Sequence, residues 1–484
     1  MAVFSLHYIV FIGIAVLLYY LVPKKYQWVI LLLASIAFYY ISGGLKAGLF
    51  ITVTIITTFC GALAMNRISE SARLEIKASE TPLSRDEKKQ IRAKAHSRKH
   101  KVFLATLLIN LDMLIVLKYA AFFTANADSL LSHLGVSFRI PQVGFILPLG
   151  ISFYTFQTTG YLIDVYNDKY QADRNIFKFA LFASWFPQII QGPISRHDAL
   201  APQLYDERSF NVRSFRTGIY RMLWGYFKKM VIAERCAIIV NEIILHYADH
   251  SYSGLTVFLG VLFYGIQMYG DFAGGIDIII GASELFGVSL AENFKRPYMA
   301  LNVAEFWQRW HITLGSWMKD YVFYPIALSG TFAKMQKNLK KSLGPYIGKV
   351  IPTTIASFIV FVLVGIWHGA SWRYVIFGIY HATLVSGHTL LERVYGKMRD
   401  FLHIDGKAVG WKCFCMVRTT FLVTIGRYFD CTPDTATAFQ MLRKTFTVCN
   451  PWVLTDGSLF KLGVSEREFS ILMMAIILQI AVDI

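Results

Sequence analysis

The sequence predicts an all-α polytopic membrane protein built as a single domain over residues 1–484, and three observations carry that prediction. Hydrophobic residues are 55% of the chain and charged residues only 16%, with a mean hydropathy of +0.46. That leaves too little polar surface to cover a water-soluble globule. Apolar runs of near-spanning length recur, among them 8–22, 28–41, 49–65 and 102–117. Finally, the net charge of +17 is gathered in the segments between these runs rather than spread through them. Because an unpaired backbone group in hydrocarbon is costly, helices are the expected spanning element.

The first run has no basic leader and no small-residue cleavage pattern, so it reads as a retained helix rather than a secretory signal. Residues 67–101 carry eleven Lys and Arg against five acids. The positive-inside rule therefore makes the loop 66–101 cytoplasmic. With three runs before it, the N-terminus faces outward. A second basic loop, 331–349, has five lysines and no acid and is placed inside as well. Topology accounts for the charge, and nothing beyond charge suggests nucleic acid. The six cysteines form no C-x-x-C pair or zinc ligand set, so neither a metal nor a disulfide framework is expected.

After the span near 102–124 the pattern breaks. The stretch 144–168 mixes apolar residues with Pro148, Gly150, Gln157, Thr158, Thr159 and Asp164, and 185–196 is interrupted by Pro187, Gly192 and Pro193. Broken segments at membrane depth must be buried in protein or line a cavity, so the middle of the chain is expected to build a cavity or funnel. Within 253–290, Asp271, Asp277 and Glu284 sit among apolar residues, and intramembrane ionisable groups are functional candidates by default. The competing reading has Asp271 and Asp277 merely accepting hydrogen bonds from backbone or from an arginine such as Arg296. Gly270, Gly274, Gly275 and Gly281 suit close helix packing.

Two Trp-His dipeptides stand 57 positions apart, Trp310-His311 and Trp367-His368, on either side of the second basic loop. Trp307, Trp310, Leu314, Trp317 and Tyr321 follow helical spacing and predict one aromatic stripe on a continuous helix. His311 falls off that stripe, in line with Gln308 and Gly315. His368 lies between Gly365 and Gly369, which should leave room for a ligand beside the imidazole. His381 and His388, seven apart, share a helix face. A buried imidazole, kept neutral by desolvation, can take a proton from a hydroxyl, as acyl transfer to an alcohol requires. No G-x-S-x-G elbow accompanies these histidines, which argues against a serine acyl-enzyme.

The chain resembles the membrane-bound O-acyltransferase superfamily, most closely the bacterial branch of alginate O-acetyltransferases and D-alanyl-teichoic-acid transfer proteins. The resemblance runs from about residue 5 to about 430. It rests on PLGISFYTFQTTGYLIDVY (148–166), FPQIIQGPISR (186–196), YGDFAGGIDIIIGASELFGVSLAENFKRPY (269–298), FWQRWHITLGSWMKDYVFYP (306–325) and GIWHGASWRYVIFGIYHA (365–382). It implies a helical funnel with a central tunnel and broken or re-entrant helices. It makes His368 the catalytic histidine and general base, with His311 lining the tunnel and positioning or polarising the donor. Trp310, Arg309, Trp367, Asn293, Asp277 and His381 are the further tunnel or donor-binding candidates. Gln308 stands where many relatives have a second arginine and is expected to change a surface contact rather than chemistry. Relatives continue beyond 469–484, so the last helix is expected to be truncated.

The implied activity is acyl transfer, most simply of acetyl, from a cytoplasmic thioester to an exported cell-surface polysaccharide. Acetyl-CoA would be donor substrate, with no bound cofactor, and a separate extracytoplasmic transferase would be partner in a bacterial plasma membrane. D-alanyl transfer to teichoic acid from an acyl-carrier protein is the near alternative. From other classes, a secondary transporter would use Asp271 and Asp277, and a non-catalytic scaffold would tolerate loss of His368.

Overall fold

A computed structural model of the chain describes residues 2–483 except 80–82, 137, 142–143 and 146. Residues 80–82 of the predicted basic loop, Ile146 of the first broken stretch and the terminal Ile484 thus lie outside the described residues. The described chain is helical throughout, and its one β-bridge joins Phe294 to Trp310. Among the described residues four helical segments are long and apolar enough to cross a membrane, Lys24–Ala78, Arg85–His133, Gly254–Glu284 and Gly330–His368. The chain forms two compact units, residues 1–222 with 278–291, and residues 223–277 with 292–484.

In the first unit, α1 (Leu6–Leu21) is followed by α2 (Gln27–Ala78), which turns at Gly44, where φ is +73°. Glycine takes that left-handed conformation without the Cβ clash other residues suffer, so the runs 28–41 and 49–65 become two helices joined end to end. The basic segment predicted as a loop is itself helical. α2 continues to Ala78, and α3 (Arg85–His133) opens with a Ser84–Glu87 capping box. Helices α4 (Ile151–Tyr166), α5 (Ile176–Ser184) and α6 (His197–Tyr205) follow, and the broken stretch 185–196 between the last two is buried. Trp185 and Phe186 have no exposed surface and pack on Phe286 at 5.8 Å. Three polar residues of these broken stretches are linked to one another. Gln188 donates to Gln157 Oε1 at 2.8 Å, Gln157 to the Phe182 carbonyl at 2.7 Å, and Ser195 to Gln188 Oε1 at 3.0 Å. Gln157 and Gln188 are thus structural, satisfying an irregular backbone that lipid could not.

Helix α7 (Val212–Phe227) leads into a π-helical turn, Lys228–Ala233, then α8 (Glu234–Leu245) and α9 (Gly254–Glu284). In the second unit a methyl group at Gly274 would lie 2.8 Å from the Gly225 carbonyl, and in the first unit one at Gly218 would lie 2.6 Å from the Gly281 carbonyl. The glycines of α9 are packing residues, as their spacing suggests.

The carboxylates of α9 find partners that their local sequence does not announce. Lys228 pairs with Asp277, and Lys229 with Asp271 at 2.5 Å. Arg296 is not the partner. The π-helical turn, with its extra residue, sets two consecutive lysines toward α9. The side chains of Lys228 and Asp277 are 7% and 13% exposed, so removing one partner strands a buried charge, at a cost of about 3–5 kcal/mol. Asp277→Leu alone should lower the midpoint of thermal unfolding in detergent sharply, and Lys228→Met/Asp277→Leu should recover most of it. A single variant that stays as stable as wild type while losing ion-coupled uptake would instead support the transporter reading.

The rest of the second unit comprises α10 (Val303–Arg309), α11 (Ile312–Met318), a second π-helical turn at Lys319–Phe323, and α12 (Tyr324–Ala327). Then come α13 (Gly330–His368), α14 (Trp372–Phe401), α15 (Val409–Cys431), α16 (Thr435–Thr447) and α17 (Glu466–Asp483). Leu472 of α17 and Met441 of α16 join Ile239 and Val261 in one apolar core. The second basic loop is also helical. α13 begins at Gly330 and breaks at Gly344, φ +88°, before Pro345. Residues 345–368 then run roughly 36 Å, enough to cross a hydrocarbon core.

Helix α14 turns back along α13 after only three residues, 369–371. The two helices approach through Gly365 and Gly378. A methyl group on Gly378 would lie 2.8 Å from the Phe361 carbonyl and 3.0 Å from Gly365 Cα. Gly369 likewise faces the Tyr374 ring. The space beside His368 expected from its flanking glycines is therefore filled by α14, not left for a ligand. Gly378→Ala should cost about 1–3 kcal/mol by overpacking, seen as a lower unfolding midpoint, with activity falling because α13 carries His368.

Candidate active site

The predicted continuous helix through Trp307, Trp310, Leu314, Trp317 and Tyr321 does not form. α10 ends at Arg309, Trp310 is extended, and His311 is left-handed at φ +49°, ψ +53° before α11 begins. That conformation costs a non-glycine residue about 1–2 kcal/mol, so something must hold it. The holder is the extended strip around Asn293. Lys295 N–H donates to the Arg309 carbonyl and Ile312 N–H to the Asn293 carbonyl, both at 2.9 Å. The Asn293 side chain, fully buried, accepts from Thr313 N–H at 3.0 Å and Thr313 Oγ1–H at 2.9 Å, and lies 3.2 Å from His311 Nδ1.

This network assigns the imidazole tautomer. The Thr313 amide can only donate, so the Asn293 atom facing it is the oxygen, and His311 Nδ1 must carry the hydrogen. The lone pair is then on Nε2. His311 lies outside the four candidate spans, and burial first, then the neighbouring His368, holds its pKa down at about 3. It is neutral at working pH. A neutral Nε2 lone pair accepts a hydrogen bond; it cannot polarise a carbonyl by donating one.

The two Trp-His dipeptides converge. The Trp367 ring is 6.0 Å from the His311 ring and 5.1 Å from that of His368, which also stacks at 6.2 Å on Tyr374 and meets Phe377 edge-on at 5.4 Å. His311 and His368 both line a cavity of about 460 Å³. Trp310, Trp307, Gln308, Ser316, Lys319 and the α13 face Ser357, Phe361, Val364 complete much of its wall. From Ser357 to His368 that face extends roughly 16 Å along α13. Gln308, expected to change a surface contact, is exposed and also lines this cavity.

Of the other candidates, Trp310 belongs to the wall and the rest sit behind it. Arg309 pairs with Glu305 at 2.6 Å, four residues back on the same helix. Trp310 lies under the Arg427 guanidinium at 4.9 Å and stacks on Phe306. His381 is buried and accepts from Trp307 Nε1–H at 3.3 Å, tying α14 to α10. Asp277 is held by Lys228, and Trp367 and Asn293 contact the histidines without lining the cavity. Sequence reasoning misses the α13 face, although Ser357, Phe361, Val364 and His368 recur at helical spacing and can be read as one wall.

Helical membrane architecture with two histidines converging on one mostly apolar cavity, His311 buried and His368 exposed to it, suits an acyl-transfer type of site, and comparison with known proteins agrees. Residues 171–339 match the membrane-bound O-acyltransferase family model. The probable alginate O-acetylase AlgI of Azotobacter vinelandii is 30% identical over 464 residues, covering 95% of this chain and 80% of that protein. The peptidoglycan O-acetyltransferase of Helicobacter pylori is 31% identical, covering 63% of this chain and 58% of that one. The teichoic acid D-alanyltransferase of Bacillus subtilis is 28% identical, with 52% and 62% covered. The chain belongs to the membrane-bound O-acyltransferase family, and it is an integral-membrane acyltransferase.

Proposed function

We propose that this protein moves an acetyl group from acetyl-CoA on the cytoplasmic side through a bacterial plasma membrane for O-acetylation of an exported cell-surface polysaccharide. The observation that carries this reading is the single cavity lined by both His311 and His368. Its mostly aliphatic and aromatic wall suits a thioester arm, and His368 marks one end of its α13 face. In the transfer step the acceptor hydroxyl attacks the thioester carbonyl and His368 takes its proton. A C–O bond forms, the C–S bond breaks, and the thiolate leaves with the proton from His368. His311 Nε2, a weak base but a sound hydrogen-bond acceptor, accepts from an N–H of the donor's arm and so positions the donor, since the one proton of the attacking hydroxyl goes to His368.

Acetyl is favoured over D-alanyl because similarity to a protein named as an O-acetylase covers 95% of the chain, against 52% for one named as a D-alanyltransferase. With the basic ends of α2, α3 and α13 inside and the N-terminus outside, the roughly 28 Å of helix from Lys349 to His368 sets that histidine towards the outer face. The partner there is an extracytoplasmic transferase that passes the acetyl group to polymer. The test is labelled acetyl-CoA supplied to inside-out membrane vesicles carrying this protein and that transferase. Label reaching polymer on the lumenal side supports the reading. Label only from carrier-bound D-alanine would overturn the donor assignment.

A further inference from the structure

His368 is the last residue of α13, and Gly369 after it is already extended. The imidazole is exposed, so its rotamer has to be chosen by neighbours outside its own helix. That choice matters for a general base, because displacing a reacting group by about 1 Å costs on the order of a hundredfold in rate. Trp367 and Phe377 meet the imidazole edge-on, and the Tyr374 ring lies along its face, 6.2 Å between centroids and 23° between planes. Tyr374 stands in the first turn of α14 and also covers the turn itself, since a methyl group at Gly369 would run into its ring.

Tyr374 is held in turn by Arg373. The guanidinium carbon lies 4.3 Å from the centre of the Tyr374 ring, and Nη2–H donates to the Tyr374 hydroxyl oxygen at 2.9 Å. Nη1 donates to the Asp430 carbonyl at 2.8 Å and to the Thr432 carbonyl. These carbonyls close α15, which ends at Cys431 with Thr432 as its C-cap. A helix end of that kind leaves backbone acceptors unused and carries partial negative charge, which a cation suits. A flat guanidinium with five donors can serve two carbonyls and a phenol together, whereas an ammonium has no such fixed fork. One line of contact therefore runs from the end of α15 through Arg373 and the Tyr374 ring to the His368 imidazole.

We infer that Arg373 and Tyr374 are positioning residues for acyl transfer, holding the His368 imidazole in the rotamer that lines the cavity by tying it to the end of α15. The inference rests on the reading of His368 as the general base. Neither Arg373 nor Tyr374 is among the residues that line the histidine cavity, so both act through His368 and not on the donor. The ring supplies the surface against which the imidazole rests, and Arg373 fixes the ring. Loss of the ring is therefore the larger effect, and loss of the phenol oxygen alone the smaller.

The test compares Tyr374→Leu, Tyr374→Phe and Arg373→Gln with wild type in the vesicle transfer assay, reading kcat and the KM for the acyl donor, with unfolding midpoints taken alongside. Tyr374→Leu should lower kcat about 10–100-fold and leave KM unchanged. Tyr374→Phe, which keeps the ring, should retain most of the rate, and Arg373→Gln should fall between the two. A second readout needs no donor: the rate at which diethyl pyrocarbonate carbethoxylates His368, followed by peptide mass spectrometry of the full-length protein. It should rise in Tyr374→Leu, where one face of the imidazole is uncovered, and stay near wild type in Tyr374→Phe. Wild-type kcat in Tyr374→Leu, a rise in KM in place of the fall in kcat, or unchanged carbethoxylation would overturn the inference. Transfer lost in His368→Ala but kept in Tyr374→Leu sinks this inference alone, whereas transfer kept in His368→Ala sinks the reading of His368 as base and this inference with it.

Discussion

His368→Ala should abolish acyl transfer while the protein still inserts and folds. A positioned general base contributes about 10²–10⁴-fold, and in the proposed step no second group replaces it. His311 is neutral with its lone pair on Nε2 and, with its pKa at about 3, is too weak a base to take over. The structural cost is modest. His368 is the last residue of α13, is exposed, and its ring contacts Trp367, Tyr374 and Phe377. Losing those contacts costs about 0.5–1.5 kcal/mol per aromatic pair, which a helix pair locked at Gly365 and Gly378 should tolerate. His368→Phe keeps a ring and removes the base, so it separates packing from chemistry. Transfer of labelled acetyl, normalised to inserted protein, reads both variants. Wild-type rates in either would leave the chain a scaffold for another enzyme's chemistry.

Asn293→Leu should be the more damaging change, and through a different route. It removes the acceptor for Thr313 N–H, Thr313 Oγ1–H and His311 Nδ1–H together, in a buried site. Each orphaned donor costs about 1–3 kcal/mol, and the left-handed turn at His311 loses its brace. Lower expression, a lower unfolding midpoint and lost activity are expected together. Asn293→Asp is the informative partner. It preserves every acceptor but sets a negative charge on His311, which favours the imidazolium and raises its pKa. In wild type the proton is disfavoured, so His311 contributes no acid limb to the rate profile near neutrality. In Asn293→Asp protonation begins at higher pH, and activity should fall as pH drops through the raised value while the fold persists. A pH–rate profile unchanged from wild type would show that His311 does not position the donor.

Much of the site is legible in the amino-acid order alone. The Trp-His dipeptides identify the two histidines that line one cavity, although the buried imidazole expected at both is found at His311 only and His368 is exposed. The glycines of α9 read as packing residues from their spacing, since only backbone approach explains them. Other readings fail for identifiable reasons. Helical periodicity runs unbroken through Trp310 and His311, yet backbone pairing with the 293–295 strip, distant along the chain, overrides it. Gly365 and Gly369 look like ligand space because a sequence does not say which neighbour fills the gap; α14 does. Arg296 is a reasonable partner for the α9 carboxylates, but the π-helical turn brings Lys228 and Lys229 instead.

Amino-acid order alone thus dictates a helical membrane protein, the positions of its basic segments, and the motifs that bear its chemistry. These follow from local composition and periodicity, which lipid enforces strictly because every spanning backbone group must be satisfied within its own helix. Folding in three dimensions is what makes Asn293 the holder of His311, turns one face of α13 into the cavity wall, and sets Arg309, His381 and Asp277 as braces behind it. Those facts depend on which distant side chains meet, and in a packed interior a contact of about 3 Å is set by the whole arrangement of helices rather than by any one of them.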